Sequence, residues 1–452
     1  MLDHLARAYT TKWDIVAVDD GYEHDEILSS QRPNPMTWMN MMSVCTKTRA
    51  ATLSISGVWS YLDMEWSHPW FELCYNRARM SSLSVIIKRD ESWPPPSSRE
   101  ENFQLLTGKT TKGDAEGPSI RCLDYRSETN FFSHSRTTPP QDGGIQYDWN
   151  ALGHAVARLR ILRLQFIILT DIAAFPPLTH LALVFCYFEG NQQDLFRWIA
   201  HAFPQLSHLE LGPVPTSQSV DREKVTGLEG LLPRLSMLRI HGKLFFVVSA
   251  LHAFSVPQER LTVSVSPDSM MGDIRGSNLR RRGQILDRIL VIAPHAPASK
   301  RAFHIRPTTM GTPFGDRTGF NLSFQHMGSS GPRVMYTDYR DDICGYSSVF
   351  ERFDTVHVHG TAARAFFVYA KESPLDALAS IQHVVIEDGD GGLLELAAWL
   401  EARASAGTPV QTINFQECQG YVRVYGPIVG FAHKIISEHA LFAVQADGIA
   451  LY

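Results

Sequence analysis

Residues 175–186 read FPPLTHLALVFC, residues 203–214 read FPQLSHLELGPV, and residues 232–243 read LPRLSMLRIHGK. The shared register is L-x-x-L-x-L. It falls on Leu178, Leu181 and Leu183, then on Leu206, Leu209 and Leu211, then on Leu235, Leu238 and Ile240. Successive starts are 28 and 29 residues apart. The phrase returns as Phe353, Val356 and Val358, then Ile381, Val384 and Ile386, then Val410, Ile413 and Phe415, again with steps of 28 and 29. An extra copy, Leu159, Leu162 and Leu164, precedes the first by 19 residues. Internal repetition at a fixed step is the signature of units that cannot cover their own apolar faces and so stack on one another.

A step of this length holds one strand, one return helix and two turns. The returns look helical. In NQQDLFRWIAHAF, Leu195, Trp198, Ile199 and Ala202 share a face. In GGLLELAAWLEARASAG, Leu393, Leu396, Ala397 and Leu400 do the same, and Gly407 is a natural stop. The expected fold is α/β: a solenoid of strand–helix repeats of about 28 residues over 151–452. Its middle, 241–350, keeps strand-like pieces (RLTVSVSP, RAFHIRP, FNLSFQ) but loses the step. There GSNLRRRGQILDRILVIAP is expected to be a helix and SSGPRVMYTDYRDDICG an inserted loop.

Two regions precede the repeats. Residues 1–90 are rich in Trp and Met, with helices expected from Met36 to Leu53 and from Trp70 to Arg79, then a strand in LSVIIK. Residues 91–150 are dense in Pro, Gly, Ser and Thr and are expected to be long loops or a linker. TGKT at Thr107–Thr110 looks like the end of a phosphate-binding loop. Phe103 stands where that loop needs glycine, so the match is rejected.

Composition narrows the function. The chain has 452 residues, 44% of them hydrophobic, and a formal net charge of −5, which points away from nucleic acid and anionic membranes. The six cysteines (Cys45, Cys74, Cys122, Cys186, Cys344 and Cys418) are scattered, without metal-ligand or disulfide-framework spacing. No apolar run has the length of a membrane span, and the first residues do not read as a signal peptide. A cytoplasmic or nuclear protein is expected. No cofactor is implied, and no nucleophile–base or paired-carboxylate spacing points to an enzyme.

The repeats resemble leucine-rich-repeat proteins of the longer strand–helix type. The N-terminal region resembles basidiomycete-type F-box proteins that carry such a tail. The matching stretches are WMNMMSVCTKTRAATL, GVWSYLDM and PWFELCYNRARMSSLSVII. Trp38, Val44, Cys45, Arg49, Trp59, Ser60, Asp63, Trp70, Arg77 and Leu83 fall on the pattern. The resemblance covers about 38–90 well and the repeats more loosely. Thr48 replaces the second Trp, and the opening Leu-Pro helix is not visible, so the F-box is degenerate. The resemblance implies a small N-terminal helical F-box-like cap. It also implies a substrate receptor of a cullin-type ubiquitin ligase, with Trp38, Val44, Cys45, Arg49, Trp59 and Trp70 on the side of a Skp-type adaptor. The alternative is a repeat scaffold without adaptor binding.

In a strand whose leucines point inward, alternate residues point outward. These outward positions are the expected contacts for a protein target: His180, His208, Glu210, Met237, Arg239, Thr355, His357, His383, Thr412 and Asn414. His180 and His208 occupy equivalent positions and should sit about 5 Å apart, the strand spacing. The same histidines also fit a metal or proton-sensing site, which the lack of a carboxylate or Cys at matching spacing disfavours; a contact role in protein recognition and a plain surface position both stay open.

Overall fold

The computed structural model describes residues 46–54, 59–78, 81–89, 97–107, 119–127, 156–165, 167–169, 177–184, 186–212, 214, 232–242, 244–254, 262–267, 285, 301–310, 317–326, 334–338, 350, 353–373, 378–387, 392–416, 432–437, 442–445 and 448–451. They are α/β, with mostly parallel strands, and divide into two compact units, one up to Leu235 and one from Ser236.

The first unit holds helix α1 (Thr46–Ser54), strand β1 (Tyr61–Asp63), helix α2 (His68–Arg77), strand β2 (Leu83–Arg89), helix α3 (Ser97–Leu106) and strand β3 (Ile120–Ser127). Strands β4 (Ile161–Gln165), β5 (Ile168–Leu169), β6 (His180–Val184) and β7 (Tyr187–Phe188) follow, then helix α4 (Gln192–Ala202) and strand β8 (His208–Leu211). The order β1-β2-β3-β4-β6-β8 is parallel throughout, and β5 pairs with β7 in a separate two-stranded ladder.

Register explains the repeated phrase. Leu62, Val85, Leu123, Leu162, Leu181 and Leu209 are successive Cα partners, and all are buried. Ile87, Tyr125, Leu164, Leu183 and Leu211 form a second such row. Helix α4 backs this layer with Leu195, Phe196, Ile199 and Ala200, and Asn191 caps its start by accepting the Asp194 N–H at 2.8 Å.

Two expectations are corrected here. Residues 59–89 are not a helical cap: β1, α2 and β2 form a strand–helix–strand unit inside the parallel sheet. The phrase in fact begins at Trp59, Leu62 and Met64, all buried, with Trp and Met standing where leucine would be. Residues 91–150 are not only loops, because they supply α3 and the fully integrated strand β3. Helix α3 is stapled to the turn after β1 by the buried Asn102. Its amide donates to the Met64 and Trp66 carbonyls at 3.2 and 2.9 Å, and its oxygen meets His68 Nδ1 at 2.9 Å. Of the expected helix from Met36 to Leu53, the part before Thr46 lies outside the described residues.

The second unit begins with strand β9 (Met237–Gly242), helix α5 (Leu244–Ala253), and strands β10 (Thr262–Pro267), β11 (Arg301–Met310), β12 (Arg317–His326) and β13 (Val334–Asp338). It continues with β14 (Thr355–His359), α6 (Ala362–Glu372), β15 (His383–Glu387), α7 (Leu393–Ser405), β16 (Val410–Gln416), β17 (Ala432–Ser437), β18 (Phe442–Gln445) and β19 (Gly448–Leu451). Sheet order is β9-β10-β13-β12-β11-β14-β15-β16-β17-β18-β19. Strand β12 runs antiparallel to both neighbours, so β11, β12 and β13 are a meander set into a parallel sheet. The segment expected as an inserted loop thus contains β13, which pairs in parallel with β10. The expected helix at GSNLRRRGQILDRILVIAP lies outside the described residues, apart from Ile285. Phe303, Val356, Val384 and Ile413 are buried in one row, and Ile305, Val358, Ile386 and Phe415 in the next.

Helices α6 and α7 pack through Phe366, Phe367 and Trp399, with ring centroids 6.3 Å from Trp399 in both cases. Their starts come so close that a Cβ on Gly392 would lie 2.7 Å from the Arg364 Cα, and Gly392 also has a left-handed φ of 88°. Arg403 is fully buried in α7. Its guanidinium donates to the carbonyls of Thr408, Leu378, Ile381 and Ala379 at 2.7, 3.0, 2.5 and 3.1 Å, tying two turns to the helix. Burial pushes its pKa down to about 10, so it is still a cation at neutral pH.

Leu181→Ala should lower the unfolding free energy by about 2–5 kcal/mol in urea titration, while outward Ala182→Ser should cost less than about 0.5 kcal/mol. Arg403→Met should cost about 2–3 kcal/mol, because four carbonyls, two of them in buried contacts, lose a charged donor, and Arg403→Lys should recover only part, because a point charge cannot reproduce the planar fork.

Candidate functional site

The outward face of each sheet collects the polar residues that the alternation sets aside. In the first unit one such row is Ser84, Cys122, Ile161, His180 and His208, and the next is Ile86, Asp124, Arg163, Ala182 and Glu210; Cys122, Ile86 and Asp124 are buried, so the face is open from β4 to β8. His180 and His208 stack with ring centroids 4.0 Å apart and planes 11° off parallel, tighter than the strand spacing. A hydroxyl lies beside each ring. Thr179 Oγ1 donates to the Arg160 carbonyl at 3.2 Å and meets His180 Nδ1 at 2.8 Å. Ser207 Oγ donates to the Thr179 carbonyl at 3.0 Å and meets His208 Nδ1 at 2.8 Å. The direction of each hydroxyl–imidazole hydrogen bond follows the tautomer of the ring. Burial, and then the Arg121 charge, holds the His180 pKa below its ordinary 6.5.

In the second unit the expected face is partly corrected. His357, His383, Thr412 and Asn414 are half-buried on the outward side, as are Met237 and Arg239 on β9. Thr355 is not a contact residue: it is buried, and its hydroxyl donates to Asp354 Oδ1 at 2.9 Å. Val385, in an outward position, is also buried. His383 Nδ1 meets Thr412 Oγ1 at 2.6 Å across the β15–β16 ladder.

Sequence reasoning missed His304 and Glu387, although both sit on this face. His304 stacks on His357 at 4.2 Å. Glu387 reaches back one strand, with Oε2 at 2.8 Å from His359 Nδ1 and Oε1 at 3.4 Å from His357 Nδ1. The signal for His304 was present: Phe303 and Ile305 flank it with the same inward spacing as the repeats. It went unread because the step fails in that region.

The residues assigned to an adaptor divide three ways. Trp38, Val44 and Cys45 lie outside the described residues. Arg49 is exposed on α1. Trp59 is interior, 1% exposed, with the Arg77 guanidinium 4.4 Å over its ring, and so is unavailable to a partner. Trp70 is half-buried against it, centroids 6.3 Å apart. Among the described residues no group of three or more His, Cys, Asp or Glu is placed to hold a metal, and no helix is long and apolar enough to cross a membrane. Neither the protein-family models nor the curated proteins contain a match to this chain. What the geometry itself defines is an α/β chain with two outward sheet faces rich in histidine.

The depressed His180 pKa has a definite sign. Below pH 6.5 the unfolded chain takes up a proton that folded His180 resists, so this residue's contribution favours the folded state above that value and is lost as pH falls toward the lowered folded pKa. The urea midpoint of the native chain should drop more between pH 7.5 and 5.5 than that of His180→Gln, and an equal drop in both would refute the assignment.

Proposed function

We propose that this chain is a protein-recognition module: a leucine-rich-repeat solenoid whose outward sheet faces hold a protein target, and which performs no chemistry of its own. The observation that carries this reading is the register. Equivalent apolar residues repeat strand after strand on the inner side, which leaves the outer side free to vary in His, Arg, Glu, Thr and Asn. A row of half-buried, already oriented polar groups presents contacts at low entropic cost. The target contacts are His180, His208, Glu210, Met237, Arg239, His357, His383, Thr412 and Asn414, joined by His304 and Glu387.

The resemblance of residues 38–90 to the F-box segment adds a role as substrate receptor of a cullin-type ubiquitin ligase, bound through a Skp-type adaptor and acting in the cytoplasm or nucleus. A second reading is a scaffold without ligase function. It is favoured by a specific observation: Trp59 and the strand–helix–strand unit after it are sheet material, so much of the matching segment is committed to the core.

The two readings separate in one experiment. Adaptor co-purification is compared between the full chain and a truncation lacking residues 1–57, which leaves β1 and its core contacts in place. The ligase reading expects adaptor capture by the full chain and loss on truncation. Absence of capture by a folded full chain sinks it and leaves the scaffold.

A further inference from the structure

We propose that Arg163 anchors the protein target on the first unit's outward face by taking a single carboxylate, from an aspartate or glutamate that the target presents between apolar side chains. The proposal rests on the protein-recognition reading and names the chemistry of the partner.

The first argument is position. Strand β4 alternates strictly, with Leu162 and Leu164 buried and Ile161, Arg163 and Gln165 half-buried on the other side. Strand β6 does the same, with His180, Ala182 and Val184 on that side. Arg163 is the register partner of Ala182, which places it between Ile161 along its own strand and Ala182 and Val184 on the next. Apolar carbon therefore surrounds the base of this cation. Water screens a charge poorly in such a setting, so a carboxylate that reaches it is held more strongly than at an open surface.

The second argument is that the charge is unspent. Among the described residues the Arg163 guanidinium has no hydrogen-bond or ion-pair partner, and its Nε is buried without an acceptor. The acids around it are engaged with other residues. Asp124, its register partner on β3, is buried and has an interaction of its own, and so has Glu210 on β8. Nothing within the described chain thus offsets the partial desolvation of Arg163. A carboxylate from outside supplies the missing partner, because the planar fork offers it parallel N–H groups.

The third argument is sign and size of charge. The Arg121 charge reaches His180 on the same face and, after burial, helps to keep that ring neutral. The face is locally positive although the whole chain carries a formal net charge of −5, so an acidic ligand is drawn by this patch and not by the protein at large. One guanidinium with Asp124 and Glu210 on nearby strands suits a single negative charge. A phosphate, with its higher charge, would meet the repulsion of both acids.

The probe is a phage-displayed library of random dodecapeptides, selected in parallel on the native full chain, Arg163→Gln and Arg163→Glu. Circular dichroism checks that each is folded. The native chain should enrich peptides with Asp or Glu at one fixed position between apolar residues. Arg163→Gln should lose the preference for an acid there, and Arg163→Glu should replace it by Lys or Arg. In calorimetry, Arg163→Gln should weaken the leading native-selected peptide about tenfold or more. Replacing the peptide's acid by its amide should weaken it by a similar factor, and the two changes together should cost no more than either alone. Enriched peptides without a fixed acid, or with one that survives on Arg163→Gln, overturn the proposal and leave the recognition reading standing. If the folded native chain enriches no peptide, the recognition reading fails and the proposal falls with it.

Discussion

The structure depends on one constraint: inward side chains must stay in register from strand to strand. A single strand with its helix offers two or three apolar side chains and cannot exclude water from them. The Leu162–Leu181–Leu209 row shows the solution, with each residue buried by the equivalents on either side. Because side chains alternate with period two, a slip of one residue would turn this row to solvent and bury His180 and Arg163 in its place. Parallel pairing at fixed register thus sets the core and the outward face together, and the order of the outer residues is a by-product of packing the inner ones.

Sequence legibility followed the same constraint. Where leucine, isoleucine or valine fills the inner positions, as in β6, β8, β14, β15 and β16, strand and facing could be read directly. Reading failed where the residue type changed but the job did not. Trp59 and Met64 fill inner positions with larger side chains, and Ile120, Leu123 and Tyr125 lie within a stretch whose prolines and glycines suggested only loops. The third kind of failure concerns partners. Thr355 obeys the outward spacing yet is buried, with its hydroxyl donated to the Asp354 carboxylate. Glu387 and His359 are 28 positions apart, and nothing local announces that one will clamp the other.

Polar side chains secure the joints that the apolar rows leave open. Asn102 and Arg403 lie in different units and do the same work. Each is a buried side chain with planar donors, and each gathers backbone carbonyls from turns next to its helix. Turns between repeats vary in length and sequence, so their carbonyls cannot all find backbone partners. A fork of donors from a neighbouring helix resolves the mismatch without demanding that the turns be alike. The Cys186 thiol is a smaller version: it is buried, its pKa is raised to about 12, and it donates to the Leu164 carbonyl at 3.3 Å.

The reversed strand β12 has a consequence for how such a chain can grow. Alternation of side chains is blind to strand direction, so Leu322 stays buried between its neighbours although its strand runs the opposite way. A hairpin spliced into the sheet adds two strands and restores the original heading, and every later strand keeps its phase. The sheet is in this sense modular at its seams: a whole hairpin can be inserted without rewriting what lies on either side.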